Sequence, residues 1–532
     1  MLQGNQVTLE GLVADILNEH FGESVELVGI ALFRNGQMTF VELVRICNMN
    51  FLSMPRDSLN PFSEYTKATF GSDSVAYKTI RDSLLVLIHH GLVTVVTDGS
   101  GSTTIYSLNA MEIFNRLLFP MFLEPFEQNV DGEKTAVETL IKKHMMTKNS
   151  LIQTCEESNG VSKNNAKETV SSLMGKRVIV SVDSLSTSSP TKSSKSAELV
   201  VRLNSAELQL EVIKRYIVEY VAGKYNADYA SVIQSLLGTV SSREGGTNFR
   251  SRVSIGDLSV ADINAKLKMS SNDLISTLIK LQQAGLAARQ QAFVEAAKPV
   301  GGRKRKSAPV AGRAKNTKQL LSMIEDEDDN DFSELVGESS LPSGAPSYTV
   351  RFFEIIEEIE SEILFQMVKA QYGTEAARVF ELLANTGQKY EASHVADICA
   401  IAREDALKYL HAFAQDGLCR MQEVPKVTTS ASAASAGVAA MMRAVASSFW
   451  LYFVDHEKVR REIISLLSKS IVNLRRRFRF EVNRQCRIED RATLLTKQEQ
   501  VYLETVHAAQ DTLEGNSVQL VSSLLILLLR SD

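Results

Sequence analysis

Cysteine pairs, long apolar runs and an excess of one charge are all missing from this chain of 532 residues. Its five cysteines, Cys47, Cys155, Cys399, Cys419 and Cys486, lie far apart, are odd in number and include no CxxC spacing. Neither a disulfide framework nor a zinc ribbon fits that pattern, so a reducing compartment is expected. The longest apolar run, Leu524 to Leu529, is far short of the roughly 20 residues that a membrane span requires. The opening MLQGNQVTLEGLVADILNEHFGE carries acids where a signal peptide would carry a basic and then an apolar stretch. A soluble chain without a membrane partner is the expectation. Lysine and arginine total 58 against 63 acids, a formal charge of −5. That balance excludes a general polyanion binder and leaves nucleic-acid contact to local basic faces.

Catalytic signatures are absent too. The chain has no phosphate loop ending in GK[ST], no HExxH, no GxSxG and no kinase motif set. No catalytic residue, metal, cofactor or small-molecule substrate is therefore expected. His89 and His90 are neighbours in sequence, which puts them on different sides of a helix. They read better as cations near a helix C-terminus than as metal ligands. Glu357 and Glu358 sit beside Ile355, Ile356 and Ile359, the solvated face of an amphipathic helix.

What is present is a repeat. A hydrophobic share of 44% with 23% charged residues and a single tryptophan, Trp450, is ordinary globular composition. At roughly 100–200 residues per domain the length allows three to five domains. The clearest copies are VADINAKLKMSSNDLISTLIKLQQAGLAARQ from Val260 and VADICAIAREDALKYLHAFAQDGLCRMQE from Val395. Each is a short amphipathic helix, a turn, a longer helix with apolar residues at i, i+3, i+4 and i+7, then Gly-Leu and a strand-like run. The N-terminal copy is FVELVRICN from Phe40, an insertion, then SVAYKTIRDSLLVLIHHGLVTVVTD from Ser74, followed across a Gly-rich turn by IYSLN. TKNSLIQTCEESNGVSKNNAKETVSSLMGKRVIVSV from Thr147 is a fourth, weaker copy. Two helices and a β-hairpin describe a winged helix. Gly91, Gly285 and Gly417 stand where the long helix must end, and a residue without Cβ takes the left-handed conformation there cheaply.

Three tracts break the pattern. Ser184–Ser196 reads as a loop or linker. Ala296–Ser347 changes from basic to acidic and reads as disordered. Thr428–Ala446, rich in Ala and Ser, reads as a flexible insertion or a weakly specified helix. The β-prone SYTVRFF from Ser347 is expected to return as the missing strand of the third wing, with the charged tract at its tip. From His456 the apolar residues Val459, Ile463, Leu467, Ile471, Leu474 and Phe478 alternate at spacings of four and three. With Lys497–Leu529 they predict an antiparallel helical hairpin. The fold class expected is mainly α with small β wings: tandem winged-helix domains plus a C-terminal antiparallel coiled coil. Their expected extents are 1–112, 113–205, 206–352 (with the insertion about 296–347), 353–455 and 456–532.

A winged helix can set its second helix into a groove of DNA. The first copy offers Lys78 and Arg81 there, and the second offers Lys163 and Lys167 with Lys176 and Arg177 near the wing. These six are candidates for phosphate contact, against plain solvated surface or a subunit interface. Asn272 and Asp273 in the third copy, and Arg403, Glu404 and Asp405 in the fourth, suit protein contacts instead. Arg303, Lys304, Arg305 and Lys306 form a candidate nuclear-import run. Arg475, Arg476, Arg477 and Arg479 form a second basic cluster on the expected coiled coil, read as its polar flank, with contact to an acidic subunit or nucleic acid as the alternative.

LNEHFGESVELVGIALFRNGQMTFVELVR from Leu17 and QYGTEAARVFELLANTGQKYEASHVADICAIAREDALKYLHAFAQDGLCRMQEVPK from Gln371 carry a resemblance. They resemble the first and fourth domains of the RNA polymerase III-specific subunit with four extended winged helices and a C-terminal coiled coil. That family is itself similar to the large subunit of transcription factor IIE. FWLYFVD from Phe449 resembles the strand leading into its coiled coil. The resemblance implies a nuclear, non-catalytic subunit within a dissociable heterotrimer. Its partners would be the polymerase core, two further specific subunits and, without sequence specificity, double-stranded or melting promoter DNA. Insertions from Phe51 and over Thr428–Ala446 depart from the family. The rival readings are a free winged-helix DNA-binding regulator, which the net charge disfavours, and a winged-helix scaffold of another multisubunit assembly.

Overall fold

Thr39, Thr147 and Ser259 each end a very short strand and begin the helix that follows. Thr39 donates its backbone N–H to Glu42 Oε2 at 2.8 Å, and Glu42 N–H donates back to Thr39 Oγ1 at 3.4 Å. Ser259 Oγ donates to Asp262 Oδ2 at 2.7 Å and accepts from Asp262 N–H at 3.2 Å, and Ser150 N–H donates to Thr147 Oγ1 at 3.2 Å. Such reciprocal caps satisfy amides that the first turn leaves free, and so fix where strand becomes helix.

The computed structural model describes residues 3–53, 73–97, 103–126, 132–159, 163–182, 199–243, 249–267, 269–290, 347–425, 448–489 and 496–529. The chain divides into two compact units. One comprises 1–220, 241–253 and 355–532, the other 221–240 and 254–354.

The first unit opens with α1 (Gln3–Phe21), α2 (Glu23–Asn35), β1 (Met38–Thr39), α3 (Phe40–Ser53), α4 (Asp73–His89), β2 (Val93–Thr97) and β3 (Thr104–Leu108). α5 (Ala110–Leu123), α6 (Glu133–Lys143), β4 (Met145–Thr147), α7 (Lys148–Asn159), α8 (Lys163–Gly175), β5 (Ile179–Val182), β6 (Val200–Leu203) and α9 (Ser205–Lys224) follow. In both copies the return strand lies centrally, in the antiparallel orders β1-β3-β2 and β4-β6-β5.

The other unit carries α10 (Ala227–Leu237), and the connection beyond it includes β7 (Ser241–Ser242), α11 (Phe249–Arg252) and β8 (Val253–Ser254). Then come β9 (Leu258–Ser259), α12 (Val260–Leu267), α13 (Ser271–Gln283), β10 (Ala287–Gln290) and β11 (Ser347–Val350). β11 pairs with β10, Ala287 opposite Val350, and with β9. SYTV thus supplies the third wing's return strand, as its composition suggested.

A fourth copy belongs to the first unit: α14 (Phe352–Tyr372), α15 (Thr374–Thr386), β12 (Tyr390–Glu391), α16 (Ala392–Cys399), α17 (Arg403–Gln415), β13 (Arg420–Pro425) and β14 (Ser448–Phe453). Its sheet order is β12-β14-β13. The chain is mainly α with small antiparallel β wings.

The long helix ends alike in every copy. Leu92, Val178, Leu286 and Leu418 each donate an N–H to a carbonyl five residues back, at 2.9, 3.0, 2.9 and 2.8 Å. The preceding residue is left-handed: Gly91 at φ 67°, Gly285 at 76° and Gly417 at 78°. In the second copy the position belongs to Arg177, at φ 58°. The bond pattern is the same, so a side chain there accepts a backbone region that normally favours glycine.

The three compositionally biased tracts lie almost entirely outside the described residues, yet the paired strands fix what they connect. Val182 pairs with Val200, Gln290 with Ser347, and Pro425 with Ser448. Each tract therefore joins the two strands of one hairpin. Ser184–Ser196 is a wing connection and not a linker between domains.

α18 (His456–Glu489) and α19 (Lys497–Leu529) run antiparallel, with Gln510 Nε2 donating to Gln485 Oε1 at 2.7 Å. Val459, Ile463, Leu467 and Ile471 are all buried, as their spacing predicts. By length and composition α19 is apolar enough to cross a membrane, with a window of mean hydropathy 1.4. The unbroken run misjudged this, because serines and a glutamine interrupt it without adding charge. Within the fold, Val521 to Leu527 are buried on every side, and Ser522 Oγ meets Met121 Sδ of α5 at 3.7 Å. This end of the hairpin is core.

α14 and α18 are joined by an ion pair between Glu360 and Arg460, 2.6 Å apart, with both side chains about 5% exposed. Arg460 also meets Glu457 at 2.8 Å. A buried guanidinium with two carboxylate partners is satisfied, and removing either acid would strand charge.

Candidate nucleic-acid and partner interfaces

The six candidate phosphate-binding residues separate into two groups. Lys78, Lys163 and Lys167 are exposed and have no side-chain partner among the described residues. Arg81 is exposed but shares its charge with Asp82 at 2.9 Å. Lys176 reaches Glu133 at 2.8 Å, and that carboxylate is buried beneath it. Arg177 donates to the Ser242 carbonyl at 3.2 Å. Lys176 and Arg177 thus hold their own fold together.

The two lysines of α8 have acidic company. Lys163 and Lys167 line a groove with Glu156 and Glu157 of α7, alongside Asn149 and Gln153. The local charge is balanced, which weakens a purely electrostatic grip on a polyanion.

The first copy is different. On α4, Tyr77, Arg81 and Leu85 follow at spacings of four, with Lys78 beside them. Tyr77 and Leu85 are about half exposed, and Val41 of α3 is 78% exposed. Phe40 holds Tyr77 edge-on, ring centroids 5.1 Å apart. The core side of α4 uses Ile80, Leu84 and Leu87, all buried. Leu85 is out of phase with that stripe, a signal readable from the sequence. An aromatic, an aliphatic and a basic group side by side suit a macromolecular contact better than free solvent.

The arginine cluster on α18 divides by direction. Arg475 and Arg479 turn inward and ion-pair with Asp15 of α1. Arg475 also pairs with Glu19. Asp15 is 8% exposed, so the chain's own first helix occupies half of the cluster. Arg476 and Arg477 are 69% and 62% exposed; Arg476 lies 4.0 Å from the same Asp15, and Arg477 pairs with Glu481 at 2.6 Å and stacks on the exposed Phe480 at 5.6 Å. For an outside partner, this exposed pair with Phe480 is the accessible part. The third and fourth copies spend their acids internally. The Asp273 carboxylate accepts from Ser270 Oγ at 2.6 Å, Asp405 pairs with Lys408 at 2.8 Å, and Tyr409 donates to Glu375 at 3.1 Å. Arg303–Lys306 lies outside the described residues.

Among the described residues no group of three or more His, Cys, Asp or Glu side chains could hold a metal ion. Four of the five thiols are buried. Burial pushes Cys47 up to about 11 and Cys419 to about 12, which leaves them protonated and inert.

No protein-family model matches the chain. It is similar to DNA-directed RNA polymerase III subunit RPC3 of Danio rerio, 22% identical over 524 residues. The match covers 92% of this chain and 87% of that protein. RPC3 of Homo sapiens is 25% identical over 174 residues, 33% of this chain and 29% of that protein. The Aspergillus niger subunit rpc3 is 25% identical over 185 residues, 35% and 26% of the two lengths. From fish to fungus, then, the proteins this chain resembles bear the name of one subunit of RNA polymerase III, the resemblance that the blocks from Leu17 and Gln371 carry.

Proposed function

We propose that the chain is a non-catalytic subunit of the nuclear DNA-directed RNA polymerase III. In this reading it belongs to a dissociable heterotrimer with two other specific subunits, docks on the polymerase core and helps to open promoter DNA during initiation. One observation carries the reading: the similarity to the Danio rerio subunit spans 92% of this chain and 87% of that protein. Four helical repeats with wings and a long helical hairpin support it, since they build extended surfaces that suit contact with other macromolecules.

The faces divide the labour. Lys78 and Arg81, with Tyr77 and Leu85, make the first repeat the best-furnished surface for DNA or a partner subunit. Lys163 and Lys167 add a weaker, charge-balanced contact to DNA backbone. Arg476, Arg477 and Phe480 serve a protein partner with acidic side chains. Arg303–Lys306 serves nuclear import. A free, sequence-specific regulator is disfavoured by the acids at the starts of α13 and α17 and by the net charge of −5.

Affinity purification of the tagged, full-length chain from nuclear extract tests this. Recovery of the polymerase core with two further specific subunits, released together at raised salt, is expected. Recovery of neither core nor companions refutes it.

A further inference from the structure

Between the first two repeats of the larger unit lies a cavity of about 200 Å³ that the proposed function does not use. Its polar lining comes from separate elements: His90 just beyond α4, Arg116 and Asn115 of α5, His144 just beyond α6, Arg202 of β6 and Ser205 at the start of α9. Two arginines and two histidines face it. The lining contains one carboxylate, Glu112, whose oxygens accept from Asn115 Nδ2 at 3.0 Å and from Ser205 Oγ. That carboxylate forms no ion pair with either arginine.

Arg116 makes the arrangement unusual. Its guanidinium lies over Phe21, 4.5 Å from the ring centroid, and near Phe119 at 5.7 Å. Aromatic faces hold the cation without neutralising it. Its Nε is buried with no hydrogen-bond partner, and the same is true of His90 Nδ1. Buried polar nitrogens without partners are costly and uncommon, and both belong to side chains that line this cavity. Burial holds Arg116 down to about 10. Burial first and Arg116 second hold His90 down to about 4, with His89, His144 and His20 adding to the repulsion. Two guanidinium groups against the one carboxylate of Glu112, which attracts Arg116 and His144 without pairing with either, leave the lining net positive.

We propose that this cavity binds a small tetrahedral oxyanion of the size of inorganic phosphate, held by Arg116, Arg202, His90 and His144. The anion accepts from the Arg116 guanidinium and from the His90 ring. Arg202, exposed at the mouth, closes a further charged hydrogen bond. Two guanidinium groups exclude a metal cation. A space below the roughly 300–1,000 Å³ of drug-sized sites excludes a whole nucleotide. The inference stands on these side chains alone and is independent of any role in transcription.

The test is isothermal titration of the full-length protein with inorganic phosphate at constant ionic strength set with chloride, beside Arg116→Gln and Arg202→Gln. Saturable one-to-one binding is expected, competed by sulfate. Each substitution should weaken it by about tenfold or more, the worth of one charge-assisted hydrogen bond. Because Arg202 lies at the surface, its variant decides the matter if Arg116→Gln fails to fold. Heat that never saturates, competition by chloride alone, or unchanged affinity in Arg202→Gln overturns the proposal.

Discussion

Alanine in place of Gly285 or of Gly91 should give two different costs at two equivalent positions. Both glycines are left-handed, at φ 76° and 67°, and both precede the residue whose N–H closes the end of the long helix. For an L-residue that conformation costs about 1–2 kcal/mol. Against this, alanine stiffens the unfolded chain by about 0.4–1 kcal/mol. Around Gly285 an added Cβ meets nothing within 4 Å. Gly285→Ala should therefore destabilise its repeat by about 1 kcal/mol, the remainder of those two effects. At Gly91 the added Cβ would stand 2.2 Å from His144 Nε2 and 2.4 Å from its Cε1. The ring must move or the helix end must open, an overpacking penalty of about 1–3 kcal/mol on top. A chain of several repeats does not unfold in one step, so a global midpoint would blur the difference. Amide hydrogen exchange at Leu286 and Leu92, whose N–H groups bond to Leu281 and Leu87, reads each site locally. Protection at Leu286 should fall roughly 5-fold in Gly285→Ala and at Leu92 by 30-fold or more in Gly91→Ala, since 1–2 kcal/mol spans that range. Adding His144→Ala should return the second loss toward the first. An equal loss at both sites, or no recovery in the double variant, refutes the steric reasoning.

Three further outcomes follow from geometry already described. Asp15→Asn removes the acid shared by Arg475 and Arg479, and should loosen α1 by about 1.5–3 kcal/mol, the range for hydrogen bonds to charged groups. Faster proteolysis between α1 and α2 with the other repeats intact reports it, and an unchanged pattern contradicts it. His90, His144 and His20 are all held below their ordinary value, chiefly by burial. Below about 6.5 the unfolded chain therefore takes up protons that the folded chain refuses, and stability falls as pH drops toward about 4. His90→Gln should flatten that fall between pH 6.5 and 5 in thermal unfolding, and a parallel curve would argue against His90 as a source. Finally, if Lys78, Lys163 and Lys167 touch DNA phosphates, replacing all three by Gln should lower the slope of log affinity against log salt by about 0.9 for each phosphate no longer neutralised. An unchanged slope would remove them from the DNA surface.

Long-range features of the fold were legible where a periodic pattern carried them. The Gly-Leu helix ends, the wing hairpins, the return of SYTV and the apolar seam of α18 all follow from spacing. Strands of two or three residues, such as Met38–Thr39, have no period to read. Their trace is the capping exchange, Thr39 with Glu42 and Ser259 with Asp262, which marks a helix start and hides the strand before it. Arg177 escaped because nothing in its type announces a left-handed backbone. The arginine cluster was visible as a cluster, but which of its members turn inward depends on α1, some 460 residues away in sequence. The electropositive cavity was invisible for the same reason: His90, Arg116, His144 and Arg202 stand in four separate elements and form no motif.

The pairing of α1 with α18 also sets an order of events on the ribosome. Leu12, Val13, Ile16 and Leu17 are fully buried, and Asp15 beside them finds its arginines only at Arg475 and Arg479. Separated by 460 residues, the two sides emerge about 20–90 s apart at ordinary translation speeds of roughly 5–20 residues per second. For that interval the nascent chain carries an apolar surface on α1 that α18 has yet to meet.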